Sequence, residues 1–195
     1  MQLLDEQGLA DNTVLIFTSD NGPHEEGGAD PEYFNHDGKF RGLKRSTHEG
    51  GIRIPFIVRW PRHIKAGTES DLPFAFYDLM PTFCDIAHIN RKHHSSQTNI
   101  DGISILPTLT GKGRQRLHDH LYWEFHETDM IGVRQGKWKL VVRHGQTSLY
   151  DLDADPHEDH DIAALHPDIL NLLITKIYED HTDNRLFPIT LPDLK

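Results

Sequence analysis

Thr13-Val-Leu-Ile-Phe-Thr18, followed at once by Ser19-Asp20-Asn21-Gly22-Pro23, is the stretch on which the fold turns. The first part is a near-continuous apolar run rich in β-branched and aromatic residues, the pattern of a strand buried on both faces in a parallel α/β sheet. In open sheets of that kind ligands gather at the carboxyl ends of the strands, and Asp20 and Asn21 stand at that end. Side by side they offer two hard oxygen donors, suited to Ca2+ or Mg2+ rather than zinc. Gly22 and Pro23 turn the backbone sharply away, and Asp-Asn-Gly is equally the chemistry of an ordinary turn.

Upstream, Met1–Leu9 reads as the last turns of a helix with Leu3, Leu4 and Leu9 on one side and Gly8 at its stop. A helix that short wants more residues before it, so the start looks cut. Downstream, residues 19–53 form a long segment rich in Gly, Asp, His and Arg without a hydrophobic period, which inside a compact domain is normally functional. Apolar sequence returns at Ile54-Pro-Phe-Ile-Val-Arg-Trp60, a second core strand, and Tyr77–Ile89 reads as a helix carrying Leu79, Met80, Phe83, Cys84, Ile86 and Ala87. Pro81 is acceptable in its first turn. Arg91–Asn99, with His93 and His94, is polar and reads as an exposed loop.

From about Leu117 the period changes. Leu121–Phe125, Met130–Arg134, Trp138–Arg143 and Ser148–Leu152 read as short strands divided by turns such as Gln135-Gly136 and His144-Gly145, an antiparallel meander. Leu165–Tyr178 is an amphipathic helix, with Ile169, Leu172, Leu173 and Ile177 as the stripe that packs on that meander. A division near residue 112 follows, with an α/β portion over 1–112 and a small antiparallel sheet with a terminal helix over 113–195.

Composition narrows the function classes. Of 195 residues 36% are hydrophobic and 26% charged, ordinary for a globular chain and too polar for a helical membrane protein. No apolar run is long enough to cross a bilayer, and the first residues do not read as a signal peptide. A formal charge of −10 argues against a nucleic-acid backbone as partner. Cys84 is the one cysteine, so no internal disulfide forms; it reads as a core helix residue. None of the fifteen histidines falls at zinc spacing. The acidic run Asp151–Asp161 begins like a calcium hand, but Pro156 and Ile162 stand where that loop needs Gly and Glu, which rejects it.

The densest basic stretch is Arg41-Gly-Leu-Lys44-Arg45-Ser-Thr-His-Glu49-Gly50-Gly51-Ile-Arg53-Ile-Pro55. Glycine pairs beside Lys and Arg give what an oxyanion needs, close backbone approach with positive charge. TVLIFTSDNGP (residues 13–23) followed by GLKRSTHEGGIRIPFIVRWP (residues 42–61) resembles the sulfatases, the formylglycine-dependent sulfuric ester hydrolases of the alkaline-phosphatase-like superfamily. Asp101-Gly102-Ile-Ser104-Ile-Leu-Pro107, Val133-Arg-Gln-Gly-Lys-Trp-Lys-Leu140 and Leu149-Tyr-Asp-Leu152 leading to Asp155-Pro-His-Glu158 agree as well, so the resemblance runs from Leu3 to about Tyr178.

The resemblance implies roles. Asp20 and Asn21 inherit the ligation of a divalent cation, usually calcium, and Lys44 the contact to the sulfate group and the stabilisation of transition-state charge. Glu49, Gly50, Gly51 and Arg53 shape the loop rather than react. His24 and His36 lie in the same segment and are candidate substrate contacts, as are Trp123, Glu124 and His126 in Tyr122–His126, which in the family borders the substrate cleft.

The departures are as informative. No C/S-x-P-S-R-type motif exists here to supply the formylglycine nucleophile, and the N-terminal Asp pair and mid-chain Lys and His of the family are absent. The chain therefore resembles the C-terminal part of a sulfatase: a partial alkaline-phosphatase-like α/β sheet followed by a four-stranded antiparallel α+β module. The expected function is hydrolysis of an aryl sulfate or sulfated glycan in the complete enzyme, with this part inactive alone. Its expected partners are the missing N-terminal half and, through exposed apolar strands, further copies of itself; nucleic acid and membrane are not expected. Periplasmic or secreted localisation is expected of the complete enzyme. The alternatives are a phosphate or phosphonate monoester hydrolase of the same superfamily, and a non-catalytic folding partner from a split gene.

Overall fold

The computed structural model describes residues 1–28, 30–34, 38, 40–89 and 100–193. His36 and the expected loop around His93 and His94 lie outside the described residues. In chain order the elements are α1 (Gln2–Glu6), β1 (Leu15–Thr18), α2 (Pro31–Phe34), α3 (Glu49–Ile52), β2 (Phe56–Arg59), α4 (Leu79–Ile86), α5 (Leu106–Thr110), β3 (Leu121–Phe125), β4 (Met130–Gln135), β5 (Trp138–Arg143), β6 (Gln146–Asp151) and α6 (Pro167–Asp180). They form two units, Met1–Phe17 with Phe56–Asp119, and Thr18–Pro55 with His120–Lys195. The linear division expected near residue 112 differs from this grouping, in which residues 18–55 go with the small sheet and residues 113–119 with the first unit.

In the second unit β3-β4-β5-β6 is an antiparallel meander, with strand limits within two residues of those read from the sequence. Turn chemistry fixes its register. Arg143 pairs with Gln146 across His144-Gly145, and both turn residues have positive φ, 50° and 74°, the backbone a two-residue hairpin of matching twist requires. Alternation then sorts the side chains. Ile131, Val133, Leu140, Val142 and Leu149 face one side and close a core with Leu170, Leu173, Ile174 and Ile177 of α6. The stripe of α6 is thus 170/173/174/177, not the expected 169/172/173/177. Leu172 is exposed and Ile169 packs only at the edge, because the i, i+3, i+4, i+7 row that faces the sheet begins one residue later.

The other side of the sheet carries Met130, Val141 and Tyr150, and it too is covered. Gly132 of β4 lies against Thr47, where an added Cβ would stand 3.0 Å from the Thr47 Cβ. A side chain there would push the 41–53 segment off the sheet. The small sheet therefore has a helix on one face and the basic segment on the other.

In the first unit β1 pairs with β2 in a two-stranded sheet. The expectation of strands apolar on both faces holds for the sequence, but Phe17 is 65% and Ile57 62% exposed. The expected Leu3–Leu9 side of α1 is also exposed at both named ends. A 3₁₀ turn at Phe76–Asp78 leads into α4, which ends at Ile86 rather than Ile89, ahead of His88 at φ 54°. Its buried residues are Pro81 and Thr82, while Met80 and Phe83 are exposed and Cys84 is half-buried, so the expected apolar face is corrected. Polar anchoring decides that orientation. Buried Asp78 accepts from the Ala75 N–H (2.9 Å), the Ile103 N–H (2.7 Å) and, through the same oxygen as Ile103, pairs with His118 (2.7 Å). Thr82 Oγ1 donates to the Asp78 carbonyl at 2.6 Å and accepts from the Ile105 N–H at 2.9 Å. Gly102 is required in the Asp101-Gly102 motif, since a Cβ would fall 2.0 Å from the Tyr77 carbonyl oxygen.

Candidate functional site

The two motifs, separated by a long segment in sequence, are joined by backbone hydrogen bonds. Gly22 N–H donates to the Gly51 carbonyl at 2.9 Å and Lys44 N–H donates to the Pro23 carbonyl at 2.7 Å. Within the second motif Gly50 N–H donates to the Arg41 carbonyl at 2.7 Å, closing the loop that carries Lys44. Glycine is the residue that permits this. A Cβ on Gly22 would stand 1.9 Å from the Gly50 oxygen, one on Gly50 2.3 Å from the Gly42 oxygen, and one on Gly51 2.2 Å from the Ser46 oxygen. Backbone atoms cannot swing aside as a side-chain tip can, so these glycines are close-approach residues. The expectation that Gly50 and Gly51 shape the loop is met.

Asp20 is exposed and Asn21 half-buried. Ser19 Oγ donates to the Asn21 carbonyl at 2.8 Å, and Asn21 Nδ2 donates to the Gly22 carbonyl at 2.8 Å. That bond uses the amide nitrogen and leaves Oδ1, the oxygen able to ligate a cation, outside it. Asp20 and Asn21 thus present hard oxygen donors of the right chemistry for calcium. No group of three or more His, Cys, Asp or Glu is placed to hold a metal among the described residues.

Lys44 is 35% exposed and its Nζ lies 3.9 Å from Glu26 Oε2. Arg45, next in sequence, shares Glu26 with it through the other carboxylate oxygen and also reaches Glu127 at 3.2 Å. Its backbone is left-handed, φ 73°, with its carbonyl accepting from Thr128 Oγ1 at 2.7 Å. Of the two neighbouring cations on Glu26, Arg45 makes the hydrogen-bonded contact and Lys44 the more distant one. His24 is exposed, with Nδ1 accepting from the Glu26 N–H at 3.0 Å. Trp123 is half-buried in β3 with the Lys139 ammonium 5.5 Å from its ring, and the His126 ring meets Phe187 edge-on at 4.9 Å. His48 is neutral at pH 7: burial, with Arg41, Lys139 and Arg143 nearby, pushes its imidazole down to about 4.

Beneath the loop lies a buried ionic cluster. Glu49, 2% exposed, receives Lys139 Nζ on Oε1 at 2.8 Å and Arg134 Nη1 on Oε2 at 3.2 Å, with Arg53 at 3.7 Å. Burial pushes its carboxyl up, but Lys139, Arg134 and Arg53 together outweigh burial and hold it below the usual range. Lys139 and Glu158 are both 0% exposed, 3.9 Å apart. Glu158 Oε2 accepts from the Glu49 N–H at 2.7 Å, and its backbone carbonyl accepts from Arg41 Nη1 at 2.8 Å. Lys139, Glu158 and Arg134 were not among the expected site residues. The signal available was a lysine at an inward position of a strand otherwise buried from Lys139 to Val142, and buried lysine is rare unless paired.

Residues 38–181 match the family model described as N-sulphoglucosamine sulphohydrolase, C-terminal. The chain is 32% identical to the N-acetylgalactosamine-6-O-sulfatase of Bacteroides thetaiotaomicron, over 89% of this chain and 37% of that protein. A solved structure from work on the metabolism of multiple glycosaminoglycans by the same species superposes with a TM-score of 0.74 at 30% identity, covering 92% of this chain and 40% of the other. The phosphonate monoester hydrolase of Agrobacterium radiobacter shares the fold, with a TM-score of 0.67 at 24% identity over 91% of this chain and 36% of that one. The chain spans about two fifths of the length of the proteins it matches.

Proposed function

This chain belongs to the sulfatases, with the alkaline-phosphatase-like fold, and from that membership we propose that it is the C-terminal part of an enzyme hydrolysing sulfate monoesters, carrying one side of the sulfate site. The observation that carries this reading is the pair of backbone hydrogen bonds, Gly22 N–H to the Gly51 carbonyl and Lys44 N–H to the Pro23 carbonyl, that brings the Asp20-Asn21 turn and the Lys44 loop together. Two roles divide between them.

Lys44 supplies a compact cation at the sulfate group. Cleavage of the ester shifts charge onto the nonbridging and leaving-group oxygens, and a preorganised ammonium stabilises that charge more than it stabilises the ground state. Its counter-ion at rest is Glu26 at 3.9 Å, a loose pairing that an arriving sulfate displaces at little cost. Asp20 and Asn21 hold part of a calcium site; calcium, when bound, supplies Lewis-acid polarisation of the sulfate oxygens. The 195 residues contain no C/S-x-P-S-R-type motif, so the formylglycine nucleophile belongs to a segment other than this one, and the chain by itself turns over no ester. His24, Trp123 and His126 are the residues proposed to meet the rest of the substrate. The name of the Bacteroides relative makes a sulfated amino sugar the first glycan to try beside an aryl sulfate.

A second reading is hydrolysis of a phosphate or phosphonate monoester, favoured by the shared fold with the Agrobacterium hydrolase. Lysine and a hard cation serve either tetrahedral anion. Paired assays on a sulfate and a phosphonate ester of the same alcohol, in the complete enzyme, separate the two by their ratio of kcat/KM. There Asp20→Ala is expected to remove activity and bound calcium together, whereas Lys44→Ala keeps the calcium and lowers turnover by about 10²–10³. Turnover of an aryl sulfate by the 195-residue chain alone, abolished by Lys44→Ala, would overturn the assignment of the nucleophile to another segment.

A further inference from the structure

What fixes Lys44 in space is the base of its loop. The loop closes where Gly50 N–H meets the Arg41 carbonyl, and both sides of that closure are tied to one residue, Glu158. Arg41 reaches the Glu158 backbone carbonyl at 2.8 Å, and the Glu49 N–H reaches Glu158 Oε2 at 2.7 Å. The Glu49 carboxylate is in turn gripped by Lys139 of β5 at 2.8 Å. We propose that Lys139 and Glu158 are positioning residues for Lys44: with Glu49 they form a buried latch that seats the 41–50 loop on the four-stranded sheet, and Lys44 is held ready for the sulfate only while that latch is closed. The proposal rests on the reading of Lys44 as the sulfate contact.

The latch is built unevenly. Glu49 has three cations around it, Lys139, Arg134 and Arg53. Glu158 faces Lys139 and Arg41 as cations, the Glu49 carboxylate as a like charge, and Tyr150 of β6 as a neutral neighbour. Its Oε1 makes no hydrogen bond although it is fully buried. A buried carboxylate oxygen that accepts no hydrogen bond and has its cation as far off as 3.9 Å is costly as an anion and much less so when protonated. Glu158 is therefore the member that takes up a proton, and burial moves its carboxyl up to about 7, with the Glu49 charge adding against Lys139 and Arg41. Because the closed state raises this group above its ordinary value, closure is favoured at low pH and loses support as pH rises through about 7.

The test uses amide hydrogen exchange on the whole chain. Protection factors of the Lys44, Gly50 and Gly51 amides are compared with those of Leu140 and Val142 in β5, at pH 5 and pH 8, alongside a titration with inorganic sulfate that follows the Lys44 side-chain resonance. In the wild type, loop protection relative to β5 should fall at least tenfold between pH 5 and pH 8. Glu158→Gln keeps an acceptor for the Glu49 N–H and carries no charge, so it should abolish that fall. Lys139→Met should lower loop protection at least tenfold at both pH values and weaken the response of Lys44 to sulfate; if this variant does not fold, Glu158→Gln alone decides. Loop protection that follows β5 at both pH values in the wild type and in Glu158→Gln would overturn the latch. An equal sulfate response in wild type and Lys139→Met would overturn the positioning role. Loop behaviour as expected without any sulfate response in the wild type supports the latch and removes the sulfate reading of Lys44 instead.

Discussion

Two apolar ladders in this molecule begin from similar sequence and end in opposite states. β5 is buried from Lys139 to Val142, with α6 over one face of its sheet and the 41–53 segment over the other. β1 and β2, as rich in Ile, Phe and Val, leave Phe17 and Ile57 more than half exposed. The difference lies in what the chain supplies to cover each strand, not in the strand. A two-sided strand is stable only when both faces find partners, and an uncovered apolar patch is a docking surface.

The contrast is broken most directly at Lys139. Lys139→Met leaves Glu49 and Glu158 buried without their shared cation, which is expected to cost about 3–5 kcal/mol, whereas a change of similar size at Phe17 removes little buried area. The urea midpoint of the second unit, read by fluorescence and by exchange in β5, checks it; a shift no larger than that of Phe17→Ser would show that the ionic cluster is dispensable. The next effect is pH dependence. The Glu158 carboxyl, raised from the ordinary 4.5 to about 7, stabilises the fold fully below about pH 4.5, and that contribution is lost as pH rises through about 7. The magnitude is on the order of 3 kcal/mol. Glu158→Gln should flatten the difference between pH 5 and pH 8 in the thermal midpoint, while the β1–β2 region, which holds no such group, should show none.

Smaller effects sharpen the other side. Phe17→Ser is expected to change folding stability by no more than about 0.5 kcal/mol, yet to reduce self-association of the chain in sedimentation velocity, because Phe17 and Ile57 are both exposed apolar side chains of the β1–β2 pair. A monomer in the wild type with amide protection at Leu15 and Ile57 equal to that at Leu140 would sink this expectation. Smallest of all is calcium. One carboxylate and one amide oxygen bind it no tighter than roughly millimolar, so 1 mM calcium should stabilise the chain by only about 0.4 kcal/mol. Micromolar binding in calorimetry, lost in Asp20→Ala, would mean that this segment preorganises the site unaided.

Much of this was legible locally. The meander, its hairpin at His144-Gly145 and the end of β1 at Asp20-Asn21 follow from period two and turn chemistry, which depend on near neighbours in the chain. The stripe of α6 slipped by one residue, since Ile169 and Leu170 are equally apolar and only the sheet beneath decides between them. The helix at 77–89 came out shorter and turned, because buried Asp78 and Thr82 recruit the distant Ile103 and Ile105 N–H groups, and such bonds leave no periodic trace.

At the site the division is the same. The sequence by itself determined which residue types were on hand: a hard-oxygen pair after a strand, a lysine among glycines, and no nucleophile motif. The tertiary structure decided why the glycines are there, since Gly22, Gly50 and Gly51 each face backbone oxygens within 2.3 Å of an added Cβ, and it decided that Glu49, Lys139 and Glu158 are one cluster. A charge in a strand reads as solvated until its burial is known, and burial is set by segments far away in sequence. The identity of a buried lysine's partner is a property of the packed molecule alone.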